Sequence, residues 1–173
     1  MKREEKGQLH DHEEVNRVWK MVILRKIIKA VLSAVLPIII LVVVPNVVSQ
    51  RIPAEMLPFI EEMIPLHGLI MSISVIGVVL AILSFSLNMV DDWSLIKLLS
   101  SIASAFISFY MWLLLLGLGD PSRMGVTQLS VEIATITLDF RFFIILELLL
   151  LGISIFSAIV KFYFARKEHL AGR

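Results

Sequence analysis

Cysteine is absent from the chain. That excludes disulfides, thiolate nucleophiles, cysteine-based zinc sites and iron–sulfur clusters. Charge is scarce as well: Asp, Glu, Lys and Arg supply 18% of the 173 residues, against about a quarter in a soluble domain. Most of these charges lie outside four long apolar stretches, so no sizeable soluble domain has room to form. Catalytic signatures are missing too. There is no Gly-rich phosphate loop, nucleophile elbow or HExxH. The chain is therefore expected not to be an enzyme and to need no cofactor. No nucleic-acid partner is expected either, because the basic cluster adjoins the first apolar stretch and faces a membrane surface. The start of the chain is charged, with no short apolar core before a small-residue cleavage site. No cleavable signal peptide is expected, and the first apolar stretch should act as an uncleaved insertion signal.

Apolar side chains dominate what is present, at 58% of residues with a mean hydropathy of +0.88. Residues 30–50, 63–90 and 98–119 contain no Asp, Glu, Lys or Arg, and 142–160 is interrupted only by Glu147. About 20 residues of helix cross a hydrocarbon core of about 30 Å. Only helices satisfy their own backbone groups across such windows. The predicted fold is all-α: a polytopic membrane protein of four transmembrane helices, arranged as a four-helix bundle. The spans are expected at about 30–50, 63–90, 95–119 and 139–165, together a membrane domain of 30–165 followed by a tail at 166–173.

Lys and Arg set the expected orientation. The N-terminal segment 1–29 holds eight, the loop around Asp91–Lys97 one, and the C-terminal tail four, against Arg51, Arg123 and Arg141 on the opposite side. Thirteen against three is a strong positive-inside asymmetry. Both termini are expected in the cytoplasm and the protein in the plasma membrane. The outer loops add Glu55, Glu61, Glu62, Asp120, Glu132 and Asp139, which makes the outer face net acidic.

Local patterns refine this picture. Val15, Val18, Trp19 and Val22 recur at helical spacing among basic residues, so segment 1–29 is expected to form an amphipathic cytoplasmic or interfacial helix running into the first span. Its basic cluster also admits anionic-lipid binding. The first outer loop carries Pro53, Pro58 and Pro65 among apolar residues, which suits a short amphipathic segment on the outer surface. After the turn at Gly119–Gly125, residues 126–142 are rich in Thr, Val and Ile. They read as a short strand or hairpin, with an early helix start near Asp139 as the competing reading. Pro37 and Pro45 fall in the first span and disturb the carbonyls of Ser33 and Leu41.

Three groups of polar residues are candidates for function. Ser74, Gly77, Ala81, Ser84 and Asn88 form one stripe along the second span. Ser100, Ser104 and Ser108 form another along the third, with Ser101 and Ala105 beside it. Small and hydroxylated stripes let helix backbones approach closely and bond across, and the same hydroxyls can line a water path. Glu147 is the sharpest signal, because a carboxylate within a span costs several kcal/mol unless it is paired, protonated or facing water. It shares a helical face with Ser154, Ala158 and Lys161, and lies roughly 7–8 Å beyond Phe142 at 1.5 Å per residue. Asn46, His67 and Tyr110 are candidate hydrogen-bonding partners for it from the other spans. His10–Glu14 holds two His and three acids, but its spacing matches no zinc or EF-hand signature, and no metal is expected.

Two functions fit these residues. One is an oligomeric cation or proton channel or transporter using Glu147. The other is a non-catalytic accessory or scaffold subunit, holding other membrane proteins through its Ser/Gly/Ala seams. The expected partners are the lipid bilayer and either further copies of the chain or other membrane subunits.

Overall fold

The structure, a computed structural model, describes residues 2–131 and 134–172, with the side chains of 2–18, 62, 63, 129–131 and 134 excepted. Helix α1 (Lys2–Ile38) passes through a short π-helical segment (Ile39–Val43) into α2 (Val44–Gln50). A short helix α3 (Leu57–Met63) precedes α4 (Leu66–Met89), and α5 (Leu95–Leu116) follows. A 3₁₀ turn (Pro121–Arg123) leads into strands β1 (Val126–Val131) and β2 (Ala134–Asp139), then α6 (Arg141–Ala171). Among the described residues, four helices are long and apolar enough to cross a membrane: Trp19–Gln50, Leu66–Met89, Leu95–Leu116 and Arg141–Ala171.

The β-hairpin corrects the all-α expectation. β1 and β2 pair antiparallel, with Val126 opposite Asp139 and Thr127 opposite Leu138. β-branched residues suit a pleated ribbon, and the ribbon is anchored at its base. Thr127 is fully buried, and its hydroxyl donates to the Leu116 carbonyl at the end of α5 (3.3 Å). Phe140 N–H donates to Gly125 O at 2.7 Å, across the start of the hairpin. Gly125 has φ +79°, and a Cβ there would sit 2.7 Å from Ile144 Cδ1, so the hairpin base lies directly on α6.

Helix bounds shift from the expected ones for local reasons. The second span begins at Leu66, not 63, because Ile64 is extended before Pro65 and ends α3. The third stops at Leu116, where Gly117–Gly119 turn the chain and Gly119 takes φ +94°. The fourth starts at Arg141 and runs to Ala171, through most of the expected tail. At the other end, α1 is one continuous helix from Lys2 to Ile38, so residues 2–29 run into the span without a helix break. The side chains of Val15 and Val18, and those of His10–Glu14, lie outside the described residues. Trp19 is exposed.

The spans neighbour one another in chain order. α4 packs on α1 along most of its length, α5 on α4, and α6 on α5. Among the described residues α6 has no comparable contact with α1 or α4, so the four helices of the expected bundle are arranged as an open row. The dry core is correspondingly small: Ile73, Ile76 and Leu80 of α4 with Leu114 of α5, flanked by Leu41, Leu69 and Ile107. Large apolar side chains such as Phe142 (72%), Phe156 (69%) and Ile153 (64%) point away from the protein. In water such a surface would be a severe liability; hydrocarbon is the solvent in which it is stable.

The α1–α4 contact is where the second-span stripe is used. Gly77 is buried, and a Cβ on it would stand 2.7 Å from Leu41 Cβ and 3.1 Å from Val42 Cγ2. Both neighbours belong to the π-helical segment. There Val44 N–H bonds to Ile39 O, one residue wider than an α-turn, just before Pro45. The wider turn absorbs the proline that the i−4 carbonyl would otherwise meet. Polar bonds fasten the contact on either side of Gly77. Asn46 Nδ2 donates to Ser74 Oγ (3.2 Å) and to Val42 O (2.7 Å). Asn88 Nδ2 donates to Ser33 Oγ (2.8 Å), and Ser33 Oγ lies 3.3 Å from Ser84 O.

Candidate functional site

The third-span stripe and Glu147 meet between α5 and α6. Ser101, Ser104 and Ser108 of α5 face Glu147 and Ser154 of α6 across a groove of about 300 Å³, walled by Phe109, Leu150 and Leu151. The steps of three, four and seven that define these residues in sequence are the steps that keep them on facing sides of two antiparallel helices. Glu147 is half-buried there, about 9 Å along α6 from Arg141. The rest of its face, Ala158 and Lys161, continues along the same side of α6 into a second cavity.

That second cavity, about 650 Å³, lies at the end of the molecule that carries both termini. It shares Leu87 and Ser101 with the Glu147 groove, so the two adjoin. Its polar lining is Asn88, Asp92, Lys97, Ser101 and Lys161. Lys97 forms an ion pair with Asp92, and this hydrogen bond, outweighing partial burial, holds the Asp92 carboxyl below its ordinary range. The charges of Lys97, Lys26 and Lys161 act in the same direction. Beside it, Lys26 of α1 bonds Asp91 at 2.9 Å. Trp93 stacks on His169 at 4.3 Å between ring centroids, which ties the far end of α6 to the α4–α5 turn. Ser94 caps α5 by accepting from Ile96 N–H.

Asn46 and His67 go elsewhere. Both line a third cavity, about 490 Å³, between the end of α2 and the start of α4 and beside α3, together with Ser49, Gln50, Glu61 and Ser74. The backbone N–H of His67 donates to Glu61 Oε1 at 3.2 Å, so the acid of α3 caps the start of α4. With α6 packed on α5, neither residue reaches Glu147 from this side of the row. Tyr110 lies on an exposed face of α5, outside the groove. Ser100, next to the groove-lining Ser101, is not among the groove residues.

Sequence reasoning put Lys161 on the Glu147 face but missed Asp92 and Lys97 beside it. The signal was present: a turn of five residues must bring the start of α5 against the end of α4. It also missed Trp93–His169, a contact between residues 76 positions apart that no periodicity encodes. Among the described residues no group of three or more His, Cys, Asp or Glu is placed to hold a metal ion. Comparison with family models, curated proteins and solved structures yields no match for this chain.

Proposed function

We propose that the chain is a proton channel or transporter, oligomeric in the membrane, with Glu147 as its proton-exchanging group. The observation that carries this reading is that the Glu147 groove adjoins the inner cavity: a carboxylate, a run of serine hydroxyls and then Asp92, Lys97 and Lys161 lie along one helix–helix boundary. Hydroxyls and bound water can relay a proton between ionisable groups. Metal cations are the weaker choice, because Lys97 and Lys161 stand at the inner mouth and repel them. Ser104, Ser108 and Ser154 supply the relay, and Ser101 joins it to the inner cavity. The open row supports an oligomer, since a second copy against α6 would close the groove away from lipid. Both termini are taken as cytoplasmic in the plasma membrane, so the lysine-lined mouth faces the cell interior. The role is non-enzymatic.

The second reading, an accessory or scaffold subunit, draws on one specific observation. The α1–α4 stripe is used up within the chain, whereas α6 is covered on one side only. A helix of a different membrane protein would close the same groove.

Purified protein in liposomes with an entrapped pH-sensitive dye separates the two. Under a potassium-diffusion potential, the proton reading expects acidification that Glu147→Gln reduces at least tenfold. Flux absent from the wild type overturns it and leaves the accessory reading. Sodium or potassium flux exceeding proton flux turns the assignment to a cation path.

A further inference from the structure

We propose that the inner cavity between the α4–α5 turn and α6 seats the headgroup of an anionic phospholipid, with Lys161 holding the phosphate beside the Lys97–Asp92 pair. The inference stands on this cavity alone and does not depend on conduction through the Glu147 groove.

Three features of the cavity point to this occupant. The first is charge. Lys97 and Lys161 approach from two different helices, while Asp92 is the carboxylate in the lining and is already engaged by Lys97. No ion pair ties Lys161 among the described residues, so one ammonium remains to meet an anion. The start of α5, a 22-residue helix, adds its positive end at the same level.

The second feature is the apolar remainder of the lining. Leu98, Val160, Phe162 and Phe164 form most of it. A hydrated inorganic ion has no use for such walls, whereas an acyl chain running down from a glycerol backbone does. A volume of about 650 Å³ is well above what a phosphate alone would fill.

The third feature is place. The cavity lies at the end of the spans, beside a helix whose main interhelical contact among the described residues is with α5, so a lipid has a route into it from the membrane. Both lysines lie where their stems run along apolar surface and their ammonium groups reach headgroup level. The Trp93–His169 stack ties the turn to α6 and the Lys26–Asp91 pair ties it to α1, so the residues around the pocket are fixed on both sides.

Trp93 adjoins Asp92 and is half-exposed, so it reports on the pocket. In a Trp19→Phe, Trp112→Phe background, full-length protein is reconstituted in phosphatidylcholine vesicles carrying brominated phosphatidylglycerol or brominated phosphatidylcholine. The expected result is several-fold stronger quenching of Trp93 by the anionic lipid. Lys161→Glu and Lys161→Gln should bring the two lipids level. Lys29→Glu, an equal change of charge at an exposed site outside the cavity, should leave the preference intact. Millimolar inorganic phosphate should not relieve the quenching. Equal quenching by both lipids in the parent overturns the proposal. So does an equal loss in Lys29→Glu, which would mean diffuse attraction to a basic surface. Relief by inorganic phosphate would show a free-phosphate site instead of a lipid site. As a second measurement on the unmodified sequence, mass spectrometry from detergent should retain phosphatidylglycerol over phosphatidylcholine; equal retention also overturns the proposal.

Discussion

Glu147 and Asp92 are both acids near helix α6, but their surroundings ask different things of them. Glu147 faces hydroxyls and hydrocarbon, so replacing it by Gln retains shape and hydrogen-bonding capacity while removing the exchangeable proton. Glu147→Gln should therefore leave the thermal midpoint in detergent within a degree or two of the wild type while proton flux falls at least tenfold. A large loss of stability in Glu147→Gln would make the carboxylate a structural element and not a relay. Asp92 lies in the turn and answers to Lys97. Its folded form binds a proton less readily than its unfolded form, because protonation breaks the hydrogen bond that Lys97 donates. The pairing therefore favours folding at and above the ordinary carboxylate range, and that contribution is lost as pH falls from there through the lowered folded value. Asp92 is largely exposed, so the effect is small. Asp92→Asn should lower the midpoint by a degree or two at neutral pH, and the two melting curves should converge in acid. A gap that persists or widens in acid would rule out the ion pair as its cause.

At the scale of elements, the α1–α4 contact combines a glycine, a π-turn and two polar clasps, and each can be tested alone. Gly77 is set against Leu41 at a separation that no side chain tolerates without movement. Gly77→Ala should cost about 1–3 kcal/mol, as overpacking of a fitted contact does, and Gly77→Leu more. Ile82→Ala, at an exposed position of the same helix, should change the midpoint little. Asn88→Leu removes the clasp to Ser33 and should cost about 0.6 kcal/mol, the average for a hydrogen bond between membrane helices. Equal losses at Gly77 and Ile82 would remove the case for a fitted seam. The stripes themselves were legible in the sequence because helix periodicity is a local property of the chain. Ser74–Asn88 and Ser104–Ser108 follow from steps of three and four, and the Glu147–Lys161 face from a step of seven. Which stripe meets which helix was not legible, since any of four helices of similar polarity could have faced it. That is why the sequence admits Asn46 and His67 as partners for Glu147, although it says nothing about which side of α4 a residue faces. The hairpin was visible as one of two readings, because Thr- and Val-rich segments beside a helix start satisfy both patterns. Burial of Thr127 against Leu116 decides it, and that contact is tertiary.

For the whole molecule, the open row and the distribution of charge together decide how the chain sits in a bilayer. Four spans in antiparallel sequence put α3, the hairpin and the 3₁₀ turn at one end, and the Lys26–Asp91 pair, the Trp93–His169 stack and both termini at the other. Thirteen of the sixteen Lys and Arg belong to the end that carries the termini. Translocating that end would take far more positive charge across the membrane than translocating the other, so it is expected to remain in the cytoplasm. Single cysteines make a clean test, because the background contains none. The positions should be exposed and free of the contacts that hold the turns together. Ser94 and Ser122 are poor choices, since one caps α5 and the other bonds Asp120. Glu55, before α3, and Lys167, near the end of α6, are exposed and make no ion pair among the described residues. An impermeant maleimide applied to intact cells should label Glu55→Cys and spare Lys167→Cys. After permeabilisation both should react. The opposite order of labelling would invert the protein, place the lysine-lined cavity in the outer leaflet and make Glu147 accessible first from the cytoplasmic side. Labelling of both positions in intact cells would mean that the chain inserts in two orientations. In that case an oligomer built on the uncovered face of α6 has antiparallel as well as parallel copies available to it.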